Sequence, residues 1–218
     1  SIVSTHGAEE TIIDDQLWDY DRVIELSGDN SKVQGFTISG GRAEGNSGGA
    51  GIRVVSGNNI TIKNNLISSN IVDNVYWGDP LDSSTADLSV TISKGGGIWI
   101  ESGSGTIENN LIYANSARLG GGIYSNGNYL MHNNIFSLNY STNAGGALYS
   151  NDIDNTISNN EFRNNSGVNG GAIFIRPSNA SSTAEVVNNI FSGNSAYIGS
   201  AIWVQWNQAL LISNNIFM

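Results

Sequence analysis

The chain has 218 residues, a formal net charge of −10 and only 13% charged side chains, against 27 glycines, 2 prolines and 31 asparagines. The acidic balance argues against nucleic acid or an anionic membrane as partner, and no run of 18 apolar residues offers a membrane span. Glycine and asparagine at this density are turn chemistry that excludes a helical protein, and the absence of cysteine removes disulfides and any reading of the redox compartment. The N-terminus carries no basic-plus-apolar signal segment, so the leader is expected to have been removed or the chain to be a piece of a longer one.

In chain order, the opening "DDQLWDYD" is expected to act as a partial cap, with Trp18 and Tyr20 among carboxylates that discourage strand pairing. The stretch "VIELSGDNSKVQGFTISGG" reads as the first clear repeat, in which Val33, Gly35 and Ile38 fall where Ile62, Asn64 and Ile67 fall in the next. From there the pattern keeps time. Ile98, Ile123, Leu148 and Ile173 follow glycines at intervals of 25 residues, Ile202 comes 29 later, and Ile52 precedes Ile98 by 46. A period this regular means a solenoid. Within each period "AIFI", "TIS" and "EF" alternate with the strand period of two, which predicts three short strands per repeat. Three strands in about 25 residues describe a coil of a parallel β-helix, each coil hydrogen-bonded to the next at about 4.8 Å. About seven to eight coils are expected in a single domain over 1–218, interrupted by an inserted loop at about 71–94. Two inward columns follow: Ile52, Ile98, Ile123, Leu148, Ile173, Ile202, and Ile67, Ile112, Phe136, Phe162, Phe191, Phe217.

Asparagine pairs recur with the same period, at Asn64 and Asn65, Asn109 and Asn110, Asn133 and Asn134, Asn159 and Asn160, Asn188 and Asn189, Asn214 and Asn215. Asn tolerates the left-handed backbone of a sharp bend, and its amide can bond the equivalent amide one coil away, so the pairs are expected to form a structural ladder. A second column, Asn70, Asn115, Asn139, Asn165 and Asn194, is expected to cap the third strand.

The segments "GGGI", "GGAL" and "GGAI" with "FSLN", "FRNN" and "FSGN" resemble the GGA[ILV] and FxxN repeats of chlamydial polymorphic outer membrane proteins. The opening "ETIIDDQLWDYDRVIELSGDNSKVQGFTISGG" is similar to the first coils of right-handed parallel β-helix proteins of the pectate-lyase-like superfamily. The resemblance implies an all-β, right-handed parallel β-helix and an extracellular or cell-surface setting. Its function is open, because that superfamily holds polysaccharide lyases, hydrolases, tailspikes and non-catalytic surface proteins.

Alternation places Tyr124 opposite Ile123, and its equivalents Arg53, Trp99, Tyr149, Phe174 and Trp203 make an external aromatic stripe roughly 20 Å long. Aromatic faces stack on sugar rings, and in the resembled lyases this strand face carries the substrate groove, so the stripe is a candidate platform for a polysaccharide or surface glycan. The competing expectation is that the rings stack on one another, or lie under the 71–94 segment or another chain. Beside the stripe runs a polar column, Glu101, Asn126, Asn151, Arg176 and Gln205. Glu101 and Arg176 stand three coils apart, about 14 Å, too far for one site. Asp152 and Asp154 on the next bend are close enough to Arg176 to name, either as a solvated ion pair or as catalytic groups. His6 and His132 stand isolated in the sequence, and His132, sharing an outward position with Lys63, Glu108 and Ser158, reads as a surface residue.

The inserted loop holds Asp73, Asp79, Asp82 and Asp87 beside Tyr76 and Trp77. Oxygen-rich loops can hold calcium, but no EF-hand spacing is present, and a plain acidic loop competes with a metal site. No other cofactor and no catalytic residue is assigned. The expected protein is a non-catalytic surface or structural module that can bind carbohydrate, with a polysaccharide lyase or glycoside hydrolase as the alternative. The last coil, "LLISNNIFM", ends inside its third strand, so further β-helix rungs or another subunit are expected against the C-terminal end.

Overall fold

A computed structural model describes residues 1–15, 21–44, 48–73, 92–151, 154–176, 184–205 and 210–218. Every strand pairing is parallel, and each strand pairs with its equivalents in the coils before and after it, as in Ile98↔Ile123 and Ile123↔Leu148. The described strands form sheets of seven, eight and eight strands, in the order in which the chain visits them within one coil. The first sheet includes Ile123–Ser125 and Leu148–Asn151, the second Asn128–His132 and Thr156–Ser158, the third Ile135–Ser137 and Glu161–Arg163. The chain is thus an all-β parallel β-helix.

Both inward columns run down the interior. Ile52, Ile98, Ile123, Leu148 and Ile173 are buried, as are Ile67, Ile112, Phe136, Phe162 and Phe191. The phenyl rings stack face to face from coil to coil, Phe136 on Phe162 at 4.7 Å and Phe162 on Phe191 at 5.0 Å. Each such burial contributes about 1.5–3 kcal/mol. Because the contacts repeat, that contribution recurs in every coil.

A fourth, four-stranded sheet was not expected. Arg42–Glu44, Ile71–Asp73, Ser116–Leu119 and Tyr140–Ala144 pair between the second asparagine column and the glycines, and bridges at Ser166 and Ser195 continue the line. The three-strand coil is therefore a four-sided one over much of its length. Its inward residues Ala43, Val72 and Ala117 form a separate small cluster with Ala50. This sheet also shortens the inserted loop: Ile71–Asp73 pairs with Arg42–Glu44 and belongs to the regular coil. Ser93 is buried and Lys94 bridges Leu119. Asp79, Asp82, Asp87, Tyr76 and Trp77 lie outside the described residues, as do Trp18, Tyr20 and Asp152.

The two members of each asparagine pair do different work, which corrects the expectation that both form the ladder. Asn64, Asn109, Asn133, Asn159, Asn188 and Asn214 are exposed and take φ of 53° to 57°. They turn the chain. Asn65, Asn110, Asn134, Asn160, Asn189 and Asn215 carry the ladder. Asn134, for example, donates from both its backbone N–H and Nδ2 to Asn160 Oδ1 (2.9 and 3.1 Å) and from Nδ2 to Ile107 O (2.8 Å). Its own Oδ1 accepts the same pair of bonds from Asn110 (3.0 Å each). The second column repeats this geometry, with Asn139 bonding Asn165 and Ile112 and accepting from Asn115.

Candidate functional site

The outer face of the first sheet carries the stripe, and register places its members one above another: Arg53, Trp99, Tyr124, Tyr149, Phe174, Trp203. The rings are in contact. Tyr124 stacks on Tyr149 at 5.0 Å, Tyr149 on Phe174 at 4.6 Å, and Phe174 meets Trp203 edge to face at 4.9 Å. Trp99, Tyr124, Tyr149 and Phe174 are only 3–8% exposed.

Of the two expectations, the rings meet that of stacking on one another and not that of an open platform. These rings form a second hydrophobic core outside the sheet, with Ala144 buried among them and Leu119 and Trp203 packed against it. The cause is the glycine turn. Gly120 takes φ of 63°, and a Cβ there would stand 2.1 Å from Ile123 O. So sharp a reversal lays the residue before the glycines over the aromatic five residues further along the chain. That preceding residue is itself a stacked column, Lys94, Leu119, Ala144, Asn169 and Ile198. The sequence pattern holds this column in the residue before the first glycine of each turn, a signal that was missed.

Cations finish the upper end. Lys94 Nζ lies 5.5 Å from the Trp99 ring centroid and 5.3 Å from that of Tyr124, and Arg53 Cζ lies 4.9 Å from Trp99. Both are within cation–π range. Arg53 Nε bonds Glu101 Oε1, and its terminal nitrogen pairs with Glu25 at 3.2 Å. Burial pushes the Tyr124 hydroxyl well above the usual phenol range and raises that of Tyr149. For Tyr149 a hydrogen bond from Arg176 opposes that rise. Both stay neutral donors. Trp99 Nε1–H is buried without an acceptor among the described residues.

The other candidate groups are separate. Asn151 Nδ2 donates to Asn126 Oδ1 at 2.8 Å in the polar column. Glu108 joins Lys63 (2.9 Å) and His132 (3.4 Å) on the outer face of the second sheet, three coils bridged by one carboxylate. His6 pairs with Thr5 on the surface. Asp73 is held by Arg42 Nε at 2.7 Å, so it faces a cation in the fourth sheet. No group of three or more His, Asp or Glu side chains is placed to hold a metal ion among the described residues.

An all-parallel solenoid with internal aliphatic columns and polarised asparagine ladders defines the β-helix class. Residues 22–217 match the family model described as right handed beta helix region, and the chain belongs to that family. No curated protein and no solved structure matches it.

Proposed function

We propose that the chain is a non-catalytic β-helix module of the cell surface or extracellular space, structural or adhesive in role. One observation carries this reading: the chemistry-bearing side chains of the outer columns are engaged by their neighbours one coil away. Rings stack on rings, Arg53 binds Glu25 and Glu101, and Lys63 and His132 share Glu108. Such an arrangement stiffens a rod. The repeats similar to chlamydial polymorphic outer membrane proteins and the likeness to the pectate-lyase-like superfamily support the setting. Glycan contact, on this reading, falls to the polar column of Asn126, Asn151 and Arg176 rather than to ring faces.

A panel of neutral and acidic oligosaccharides tests it, assayed for new reducing ends, for unsaturated products and for binding. No product is expected from any member. Product above the protein-free control would overturn the reading in favour of a polysaccharide lyase or glycoside hydrolase. Bound glycan unaffected by Asn126→Ala with Asn151→Ala would remove the polar column as its site.

A further inference from the structure

At the bend that opens the third sheet, one coil departs from the others. Val3 pairs with Gln34 and Ile12 with Thr37, so residues 4–11 stand where the next coil has only Gly35 and Phe36. The extra chain is a built turn. Thr11 N–H donates to Gly7 O (3.0 Å), Gly7 N–H to Ser4 Oγ (3.0 Å), and Thr37 Oγ1 to Ala8 O (2.6 Å). Ala8 and Glu9 of this turn wall one end of a groove of about 680 Å³ on the side of the rod, an ordinary size for a ligand site.

The floor of the groove is the outward column of the third sheet, Ile12, Thr37, Leu66 and Leu111 in register, and Ile135 continues it. The next position is Glu161, paired with Arg163 at 3.3 Å, which ends the apolar run. From Thr37 to Ile135 the run covers three coil spacings, roughly 14 Å, the length of about four to five residues of a polyproline II helix. One wall is the left-handed column, where the exposed side-chain amides of Asn64 and Asn109 make no hydrogen bond among the described residues. Tyr113, exposed and on the same face two residues past Leu111, borders the other side. Glu9 is the one charged residue of the lining.

These features select among occupants. An extended strand has nothing to pair with, because every inner strand of the third sheet is already bonded on both sides and presents no edge. A sugar chain would lack the row of open ring faces it stacks on, since the stacked rings of this chain are buried on the first sheet, and a neutral sugar leaves the Glu9 carboxylate unanswered. A proline-rich segment meets both conditions. Its prolines have no N–H to satisfy, its carbonyls accept from amide donors, and its three-residue turn of about 9.3 Å matches two coil spacings of about 9.6 Å.

We propose that this groove docks a proline-rich segment of a partner polypeptide in the polyproline II conformation. Its prolines lie on Leu66 and Leu111, its carbonyls take the amides of Asn64 and Asn109, and a basic residue meets Glu9. The probes are a peptide of nine prolines with lysine at both ends, the same peptide with glutamate at both ends, and a neutral hexose tetrasaccharide. Each is titrated at low salt into the 218-residue chain carrying ¹³C-labelled leucine methyls. Saturable shifts of the Leu66 and Leu111 methyls are expected with the lysine peptide, and at least tenfold weaker binding of the glutamate peptide. The double variant Asn64→Gly with Asn109→Gly keeps the left-handed bends, removes the amides, and should bind the lysine peptide at least tenfold more weakly. The proposal is overturned by the absence of saturable shifts up to the solubility limit of the lysine peptide, by equal affinity for the two peptides, or by equal affinity of the parent and the double variant. Tighter saturation of the same methyls by the tetrasaccharide than by the lysine peptide would overturn it in favour of a sugar site.

Discussion

Two bends flank the third sheet, and they are built differently. Before the sheet, the left-handed residue is asparagine in six coils, from Asn64 to Asn214. After it, the same conformation is taken by Ser69, Ala114, Leu138 and Asn164, at φ of 52° to 57°. The residue that follows, however, is asparagine at both bends. The left-handed position only tolerates asparagine, whereas the ladder position uses its whole amide: one acceptor and two donors bond the coils on either side at once.

Among changes confined to a bend, breaking the ladder should have the largest effect. In Asn134→Ala or Asn139→Ala, the two donors of the preceding asparagine and a carbonyl, Ile107 O or Ile112 O, lose their partners in a buried site. A loss of roughly 3 kcal/mol is expected at either bend, read as a lower denaturation midpoint. Midpoints within error of the parent would refute the ladder's energetic role. Away from the bends, emptying the second core should cost more still, because Trp99→Ala with Tyr124→Ala removes two buried groups worth roughly 3 kcal/mol or more each. On an open platform the same double variant would leave the melting temperature unchanged, so a calorimetric melt discriminates.

The bend position itself should respond more mildly. Asn133→Leu forces a bulky side chain into φ of 55° and should cost about 1–2 kcal/mol by urea titration. The reciprocal change Leu138→Asn relieves that strain at φ of 56° on a half-exposed residue and should gain about 0.5–1 kcal/mol. Should the two exchanges have the same sign, the division of labour between bend and ladder is wrong.

Much of the fold was legible before the structure. The intervals between Ile98, Ile123, Leu148 and Ile173 name the coil, and the inward columns fall where alternation puts them. The fourth sheet was not legible. Its strands Arg42–Glu44, Ile71–Asp73 and Ser116–Leu119 are too short, and their single inward residues Ala43, Val72 and Ala117 too weakly apolar, to show a hydrophobic alternation. The candidate site was half legible. The stripe was found, and so was the possibility that its rings pair with each other, but alternation says only that Tyr124 points away from Ile123. It is silent on what lies outside.

By itself, then, the sequence determined the solenoid, its period, its two interior columns and the asparagine bends, because each depends on residues repeating at a fixed interval, which is one-dimensional information. The tertiary structure alone decided which asparagine of a pair turns the chain and which bonds its neighbours, since both roles suit the same side chain and only the φ angle separates them. It alone decided that Trp99, Tyr124, Tyr149 and Phe174 are a core and not a surface. That outcome rests on the close approach of Leu119 and Ala144 after the glycine reversal, a contact between columns whose closeness depends on the angle of a turn.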